Sequence, residues 1–343
     1  MDNTLDKIAS KRKDDHIALA RESIVFNVQN DARFYYEPII STHPSSLNKL
    51  LTTDFLGKKL KAPFWVSSMT GGSERAFQLN RILASAAQKN GFGMGLGSCR
   101  SLINSTERFE DFNLRPILGD ELPFYANLGV AQLEELLESE SKKNFFLNNL
   151  ENLDVDGLII HVNPLQEWLQ PEGDRIHRAP IETISDFISG NKNNLKIIVK
   201  EVGQGFGPKS MAALMDLPID GIEFASFGGT NFSKLELLRK SAGQHQDELA
   251  LVGHDLNEMI GFYHSCRGDK NKAIILSGGV TNFLDGFYFQ EKIISPSLIG
   301  MAGEFLKYAL IGEDALNQFM QQQVKGLAFA KQYLSLKEKE CRK

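Results

Sequence analysis

Short apolar runs recur along the chain from residue 60 onward, and this repeat limits the fold more than any other feature of the sequence. Each run has the length and composition of a buried parallel strand, and segments with helical apolar spacing separate consecutive runs. Most runs begin about 25 to 40 residues apart, which suits a strand, a helix and their two loops. The nine runs are residues 63–69, 93–97, 123–129, 157–162, 196–202, 221–226, 248–253, 272–279 and 297–302.

The run 248–253 lies inside an interval of about 50 residues between its neighbours, so we assign it to a loop insertion. Eight βα units over about 250 residues remain, and they predict an α/β fold of the (β/α)8 TIM-barrel type. A doubly wound sheet is the less favoured alternative. We expect a single domain, 1–343, with the barrel core at about 60–305, a short N-terminal arm and a C-terminal helical tail.

Composition excludes several classes of protein. The 343 residues are 42% hydrophobic and 24% charged, as in ordinary globular chains. A formal net charge of −5 predicts neither a nucleic-acid nor a membrane partner. The three cysteines are widely spaced and form no CxxC pair, which argues against a disulfide framework or a thiolate zinc site. With an N-terminal segment of mixed charge, these features predict a cytoplasmic protein.

Glycine-rich turns follow the last two runs. They are the SGG motif at 277–279 and the GMAG motif at 300–303. Barrels commonly bind phosphate at this position through backbone N–H groups, and glycine lets the main chain approach the anion. Either motif alone would be explained by a tight turn, but two on neighbouring strands favour a phosphate site.

Two polar residues at strand ends are candidates for binding a heteroaromatic ring. Lys200 ends the fifth run, where an ammonium requires an anionic partner or a shifted pKa. Adjacent strand residues point to opposite faces, so we expect a ligand rather than Glu201 beside Lys200. Asn127, at the end of the third run, offers both a donor and an acceptor.

The end of the fourth run carries the densest group of polar residues. His161, Asn163, Gln166 and Glu167 lie within seven residues, and QPEGDR follows at 170–175. Any one of them alone would be an ordinary solvated loop residue, whereas the cluster favours a functional site. Glu167 is a hard oxygen ligand suited to Mg²⁺, which usually takes one or two carboxylates together with substrate phosphate oxygens.

Basic residues near the N-terminus and after the second run are candidates for a second phosphate. Arg12 and Lys13 belong to a short KRK run, His16 follows it, and Arg100 stands after Ser98. Such short runs are usually solvated and do not indicate nucleic-acid binding. Beside a phosphate-bearing ligand, however, they could hold a further phosphate group.

Taken together, the motifs resemble one family, type 2 isopentenyl diphosphate isomerase, the flavin-dependent form. The resemblance covers about residues 7 to 310, with motifs in the family's order and spacing. HxNPLQExxQPEGD is its long and specific signature, whereas SGG and GMA occur in many flavin barrels. The matching motifs are RKDDHI (12–17), SSMTGG (67–72), GLGSCR (95–100), ANLG (126–129), HVNPLQEWLQPEGD (161–174), VKEVGQG (199–205), FGGT (227–230), SGG (277–279) and GMA (300–302).

The resemblance implies an isomerase of isoprenoid biosynthesis that interconverts isopentenyl and dimethylallyl diphosphates with reduced FMN and Mg²⁺, without net redox change. NADPH is the implied electron source, and a tetramer or octamer the implied assembly. It implies catalytic roles for His161, Asn163 and Gln166 and a metal ligand in Glu167. The implied substrate-binding residues are Arg12, Lys13, His16, Ser98, Arg100 and Gln166, and the implied flavin-binding residues are Ser68, Met69, Thr70, Ser98, Asn127, Lys200, Thr230, Gly278, Gly279, Ala302 and Gly303.

The chain departs from the family's pattern at three places. Asn231 and Phe232 follow FGGT, where the family usually has a small residue and an aromatic one. Residues 252–256 replace a tryptophan-glycine-x-proline-threonine run, although Asp255 can still cap the next helix. Thr281 replaces an arginine that often follows this glycine turn, which removes a cation expected near the flavin phosphate.

Two alternative functions stay open at this point. An FMN barrel of the 2-hydroxy-acid oxidase or nucleotide dehydrogenase type would share the flavin turns, but it needs a base or a cysteine nucleophile. No such signature surrounds Cys99. A non-catalytic flavin or phosphate barrel is disfavoured by the intact HVNPLQE motif. GQGFG at 203–207 departs from GxGxxG, so the sequence indicates no built-in dinucleotide site.

Overall fold

The computed structural model describes residues 3–69, 71–190, 195–239, 247–268 and 271–337. The chain divides into two compact units, a smaller one of residues 1–37 and 334–343 and a larger one of residues 38–333. The predicted single-domain organisation stays a prediction. None of the described helices is both long and apolar enough to cross a membrane.

The smaller unit contains a helix and a two-stranded sheet. Helix α1 covers Asn3–Leu19, and a short 3-10 helix covers Asn27–Gln29. Strand β1 (Phe34–Tyr36) pairs antiparallel with β12 (Leu334–Leu336), the last described strand of the chain. The N-terminal arm therefore contains regular structure that the sequence did not predict, because its apolar residues show neither a strand nor a helix period.

The larger unit is built on a closed barrel of eight parallel strands, as predicted, which excludes the doubly wound sheet. Each strand pairs with its successor along the chain, and the last strand closes the barrel against the first through Ile299 and Phe64. All eight predicted runs contain a strand, and residues 247–250 form a short helix, as their assignment to an insertion allows. The barrel strands are β4 (Phe64–Val66), β5 (Gly93–Gly95), β6 (Phe124–Gly129), β7 (Gly157–His161), β8 (Lys196–Lys200), β9 (Gly221–Glu223), β10 (Ala273–Leu276) and β11 (Ser297–Met301).

Helices alternate with the strands and surround the barrel. Asp255 caps one of them by accepting the Glu258 N–H, as predicted. The predicted C-terminal helical tail consists of the last two helices. The described helices of the larger unit are α2 (Leu47–Leu51), α3 (Glu74–Asn90), α4 (Arg115–Leu118), α5 (Val130–Glu138), α6 (Glu140–Asn152), α7 (Pro164–Leu169), α8 (Pro180–Ser189), α9 (Pro208–Asp216), α10 (Phe232–Arg239), α11 (Asp247–Ala250), α12 (Leu256–Ser265), α13 (Phe283–Lys292), α14 (Gly303–Ala309) and α15 (Glu313–Tyr333), with 3-10 helices at Arg100–Ile103 and Phe109–Asp111.

A β-hairpin closes the amino end of the barrel. Strands β2 (Thr53–Phe55) and β3 (Lys58–Leu60) are joined by Leu56 and Gly57, whose positive φ angles match a two-residue hairpin turn. Phe55 is buried and packs on Trp65 and Tyr125, with ring centroids 5.4 and 6.3 Å away. Because apolar side chains fill this end, the polar residues at the carboxyl ends of the strands are left to form the site.

Candidate functional site

A cavity of about 390 Å³ lies at the carboxyl ends of β4 and β8–β11. The structure therefore brings together, in one wall, most of the residues that the sequence placed in a flavin site. Ser98 and Asn127 are not among the lining residues, and Thr70 lies outside the described residues. The predicted residues that line the cavity are Ser68, Met69, Lys200, Thr230, Gly278, Gly279, Ala302 and Gly303.

Glycines from two neighbouring loops form one end of this cavity. Gly228, Gly278 and Gly279 have φ angles of +120°, +90° and +82°, which favour glycine. A Cβ on Gly229 would lie 2.7 Å from the Gly279 nitrogen. Without side chains at these positions the main chain can closely approach a bound anion, as a phosphate site requires. We call these four residues the glycine cradle.

Thr281 lies on the rim of the cavity, two residues after Gly279. The N–H and the hydroxyl of Thr281 donate to Asp285 Oδ2, at 3.1 and 2.8 Å. Among the described residues that line the cavity, none is an arginine, Glu304 contributes a carboxylate and Lys200 contributes an ammonium. A phosphate bound at the glycine cradle would therefore depend on main-chain donors and on Lys200 rather than on an arginine.

Lys200 and Glu201 point to opposite sides of β8, as predicted. The Lys200 ammonium lines the cavity and donates to the main-chain oxygen of Glu201 at 2.7 Å. The Glu201 carboxylate instead accepts the N–H groups of Gly203, Gln204 and Gly205, at 2.6, 2.5 and 3.0 Å. Burial raises the pKa of Glu201, and the three donors and Lys200 oppose that shift. The GQG segment thus serves as a carboxylate-binding turn, which leaves Lys200 available to a ligand.

Three of the buried polar side chains that line the cavity have an unpartnered oxygen, and the sequence reasoning missed two of them. Ser67 Oγ, Ser68 Oγ and Glu223 Oε2 are buried in the cavity wall and have no hydrogen-bond partner within the described residues. Only Ser68 was expected there. A glutamate within the apolar run GIEFAS was the signal that could have identified Glu223. Unpartnered buried polar atoms of this kind are satisfied by a ligand or by water.

His161, at the end of β7, is held by Asn127 from the neighbouring strand. The imidazole Nδ1 lies 2.7 Å from Asn127 Oδ1. Burial, followed by the positive charge of Lys200, lowers the pKa of His161 to about 3. The ring is therefore neutral near pH 7 and donates its Nδ1–H to Asn127, which leaves Nε2 as an acceptor.

The loop after β7 fixes Glu167 from two sides. Asn163 Nδ2 donates to Glu167 Oε1 at 2.9 Å and to Gln166 Oε1 at 3.1 Å. The Asp174 N–H donates to Glu167 Oε2 at 2.7 Å. Glycine is required at residue 173, where a Cβ would lie 2.0 Å from the Glu167 main-chain oxygen. The carboxylate is thus oriented while each oxygen keeps further acceptor capacity.

Asp174 connects this loop to two earlier segments. Its carboxylate forms an ion pair with Arg100 at 2.6 Å and accepts a hydrogen bond from Gln132 Nε2 at 2.6 Å. Arg100, expected to bind substrate, therefore has a protein partner here. Glu167 lines a second cavity, of about 730 Å³, together with Asp174 and His177 rather than the cavity of the glycine cradle.

A metal site made by the protein alone is not present in the part of the chain that the structure describes, where no three His, Cys, Asp or Glu residues converge. One oriented carboxylate at Glu167 fits Mg²⁺ when substrate phosphates and water complete the coordination. Arg12, Lys13 and His16 are exposed residues of α1 in the smaller unit, and their role in binding substrate stays a prediction.

Cys99 does not have the environment of a nucleophile. The residue is fully buried, and burial raises the pKa of its thiol to about 12. The thiolate that a cysteine-dependent oxidoreductase needs is therefore disfavoured.

Comparison of the sequence with characterised proteins gives consistent matches over nearly the whole chain. Isopentenyl-diphosphate delta-isomerase of Rickettsia africae (strain ESF-5) is 33% identical over 319 residues, which cover 91% of this chain and 89% of the relative. The enzymes of the same name from Rickettsia bellii (strain RML369-C) and Rickettsia typhi (strain ATCC VR-144 / Wilmington) are 31% and 30% identical, each over 91% of this chain and 89% of the relative. No family model matches the chain.

Comparison with solved structures identifies enzymes with a similar fold. The flavin-binding domain of baker's yeast flavocytochrome b2 matches with a TM-score of 0.55 and 14% identity, over 85% of this chain and 70% of that one. Mandelate oxidase with (S)-2-phenylpropionate matches with a TM-score of 0.52 and 14% identity, over 89% and 86%. At this identity the similarity establishes the fold alone. The identity to the Rickettsia enzymes establishes more, and the resemblance predicted from the motifs is confirmed: the chain belongs to the isopentenyl-diphosphate delta-isomerase family.

Proposed function

We propose that this protein interconverts isopentenyl diphosphate and dimethylallyl diphosphate, with reduced FMN in the cavity of the glycine cradle and Mg²⁺ at Glu167. One observation carries the proposal. The mouth of a single barrel holds a glycine-lined cavity with unpartnered polar atoms and, at the end of β7 and the start of α7, the oriented cluster of His161, Asn163, Gln166 and Glu167. Family membership makes the isomerase the favoured function of that site.

The cavity fits FMN in three respects. The glycine cradle offers main-chain donors to a phosphate, Lys200 brings a positive charge, and Ser67, Ser68 and Glu223 present unsatisfied polar atoms. The flavin-binding domain and mandelate oxidase with the same barrel fold support this choice of cofactor. Reduced FMN, when bound, supplies a proton donor and acceptor and an electron-rich ring. Lys200 favours an anionic form of that ring.

The cluster at the end of β7 positions the substrate rather than supplying a strong acid. Neutral His161 presents Nε2 as a hydrogen-bond acceptor, and its bond to Asn127 fixes the plane of the ring. Asn163 holds the side-chain oxygen of Gln166 and so orients the amide. In our proposal Gln166 sets the face of the reacting double bond, Asn163 keeps Gln166 and Glu167 in place, and His161 lines the substrate with Nε2 as an acceptor.

Mg²⁺ would bind Glu167 together with the substrate diphosphate. The two hydrogen bonds to Glu167 hold the carboxylate in one orientation before the ion arrives. Mg²⁺, when bound, neutralises part of the diphosphate charge. In the same proposal, Arg12 and Lys13 contribute positive charge toward the diphosphate and His16 contributes a hydrogen bond. NADPH keeps the flavin reduced, and the protein is a homo-oligomer.

Turnover in D₂O with a catalytic amount of reductant tests the proposal. Purified protein is incubated with isopentenyl diphosphate, Mg²⁺ and FMN reduced by substoichiometric dithionite, with flavin-stripped protein as control. We expect many turnovers per reductant and solvent deuterium in the dimethylallyl product, because a proton shift consumes no electrons. One reductant oxidised per product, or full activity with oxidised flavin under non-reducing conditions, would contradict the isomerase and favour an FMN oxidoreductase.

A further inference from the structure

Glu223 is a buried carboxylate at the centre of the site, and the roles proposed so far do not use it. It ends β9, lies beside Lys200 in the register of β8 and β9, and beside Ile275 in that of β9 and β10. Its exposure is 0%, and it lines the cavity. A carboxylate is almost never buried so completely without a partner for each oxygen.

One oxygen of Glu223 is fixed by a chain of hydrogen bonds. The Ala225 N–H donates to Ser277 Oγ at 3.0 Å, and the Ser277 hydroxyl donates to Glu223 Oε1 at 3.1 Å. The other oxygen, Oε2, has no partner in the described part of the chain. Among the described residues no ion pair joins Lys200 to Glu223, and the Lys200 ammonium donates to the Glu201 main chain. Oε2 is therefore an acceptor that requires an O–H or N–H donor from a ligand.

The position of Glu223 indicates which part of a flavin supplies that donor. Ser277 directly precedes Gly278, and Glu223 lies five residues before Gly228, so both side chains stand next to the glycine cradle. If the glycine cradle holds the phosphate, the part of FMN next to it is the ribityl chain, which carries three hydroxyl groups. Hydroxyls are neutral donors that a buried carboxylate can accept at short range.

We infer that Glu223 binds the ribityl chain of the flavin by accepting a hydrogen bond from one of its hydroxyls at Oε2, and that Ser277 holds the carboxylate in place. The inference rests on the proposed flavin site and extends it to a residue that selects the sugar-alcohol part of the cofactor. Glu223 acts in binding, not in proton transfer to the substrate.

Flavin affinities measured by fluorescence titration test this inference without any assay of activity. The ligands are FMN and three analogues, each lacking one ribityl hydroxyl, and the proteins are wild type and Glu223→Gln. Ser277 can still donate to the glutamine oxygen, which turns the amide nitrogen toward the cavity and replaces an acceptor with a donor. We expect wild type to bind one analogue about tenfold or more weakly than FMN, and E223Q to lose that discrimination.

Glu121→Gln is the matched control, since it removes one carboxylate from an exposed position ahead of β6, at the opposite end of the barrel. The Glu121→Gln protein should bind that analogue as weakly, relative to FMN, as wild type does. Ser277→Ala, which keeps the carboxylate but not its orientation, should reduce it. Equal affinity of wild type for FMN and all three analogues, or equal discrimination in wild type and folded E223Q, would overturn the inference. Folded wild type that binds no flavin would instead contradict the proposed function.

Discussion

His161 is kept neutral by its surroundings, and this makes the stability of the barrel depend on pH. Burial and the nearby Lys200 lower its pKa from 6.5 to about 3. Between these values the unfolded chain binds a proton that the folded chain does not. The free energy of unfolding therefore falls as the pH falls from 6.5 toward 3, and this contribution is fully present above pH 6.5.

The size of the effect follows from these two pKa values. At pH 5 the unfolded imidazole is almost fully protonated, whereas the folded imidazole remains almost fully neutral. Proton linkage then gives a loss of about 2 kcal/mol in unfolding free energy between pH 7.5 and pH 5 from this one residue. Such a loss is a large fraction of the 5–15 kcal/mol, roughly, that stabilises a typical folded protein.

Urea unfolding at several pH values, with wild type and His161→Gln compared, measures this contribution. Glutamine retains an N–H donor for Asn127 but has no charge to gain, and the comparison cancels the other titrating groups. We expect wild type to lose about 2 kcal/mol more than the variant between pH 7.5 and pH 5. Parallel pH dependence of the two proteins would refute the neutral, buried state of His161.

Four further substitutions test the rest of the site and the closed end of the barrel. Glu167→Gln should raise the Mg²⁺ concentration needed for half-maximal activity by about tenfold or more, and unchanged activity at limiting Mg²⁺ would exclude it as the ligand. Arg12→Ala should weaken substrate binding by about 1.5–3 kcal/mol, seen as a higher KM at unchanged flavin affinity. Phe55→Ala should cost about 3–5 kcal/mol in denaturant unfolding without altering KM, since the ring packs at the closed end. Gly229→Ala should weaken FMN binding by about tenfold or more in a fluorescence titration, whereas Gly261→Ala, with open space around its Cβ, should not.

The barrel strands could be predicted from sequence because both of their faces are buried, which leaves uninterrupted apolar runs between polar turns. The strands outside the barrel could not be predicted in this way. The β2 and β3 strands have the sequences TDF and KKL, which are largely polar, so no apolar run marks them. Helix α1 has almost no apolar face, so its charged residues indicated only a solvated segment.

The residues of the site also divide into those that the sequence could predict and those that it could not. The glycine cradle comes from two short motifs, FGGT and SGG, and His161, Asn163, Gln166 and Glu167 lie within seven residues, so motifs identify both groups. Glu223 and Ser277 meet only because β9 and β10 are neighbours, and Asp174 reaches Arg100 and Gln132 from distant segments. The neutrality of His161 depends on burial, a property of the folded barrel that no local pattern records.

In the described part of the chain, the hairpin covers the amino end of the barrel, and the cavity opens at the carboxyl ends of the strands. With Phe55 and Leu60 filling that end, nothing can pass through the barrel from one face to the other. Whatever reaches the cavity must enter between the loops that follow the strands and must leave by the same route. Product would therefore have to leave before the next substrate could enter. The loops around the mouth, rather than the barrel itself, would set the rate at which each one dissociates.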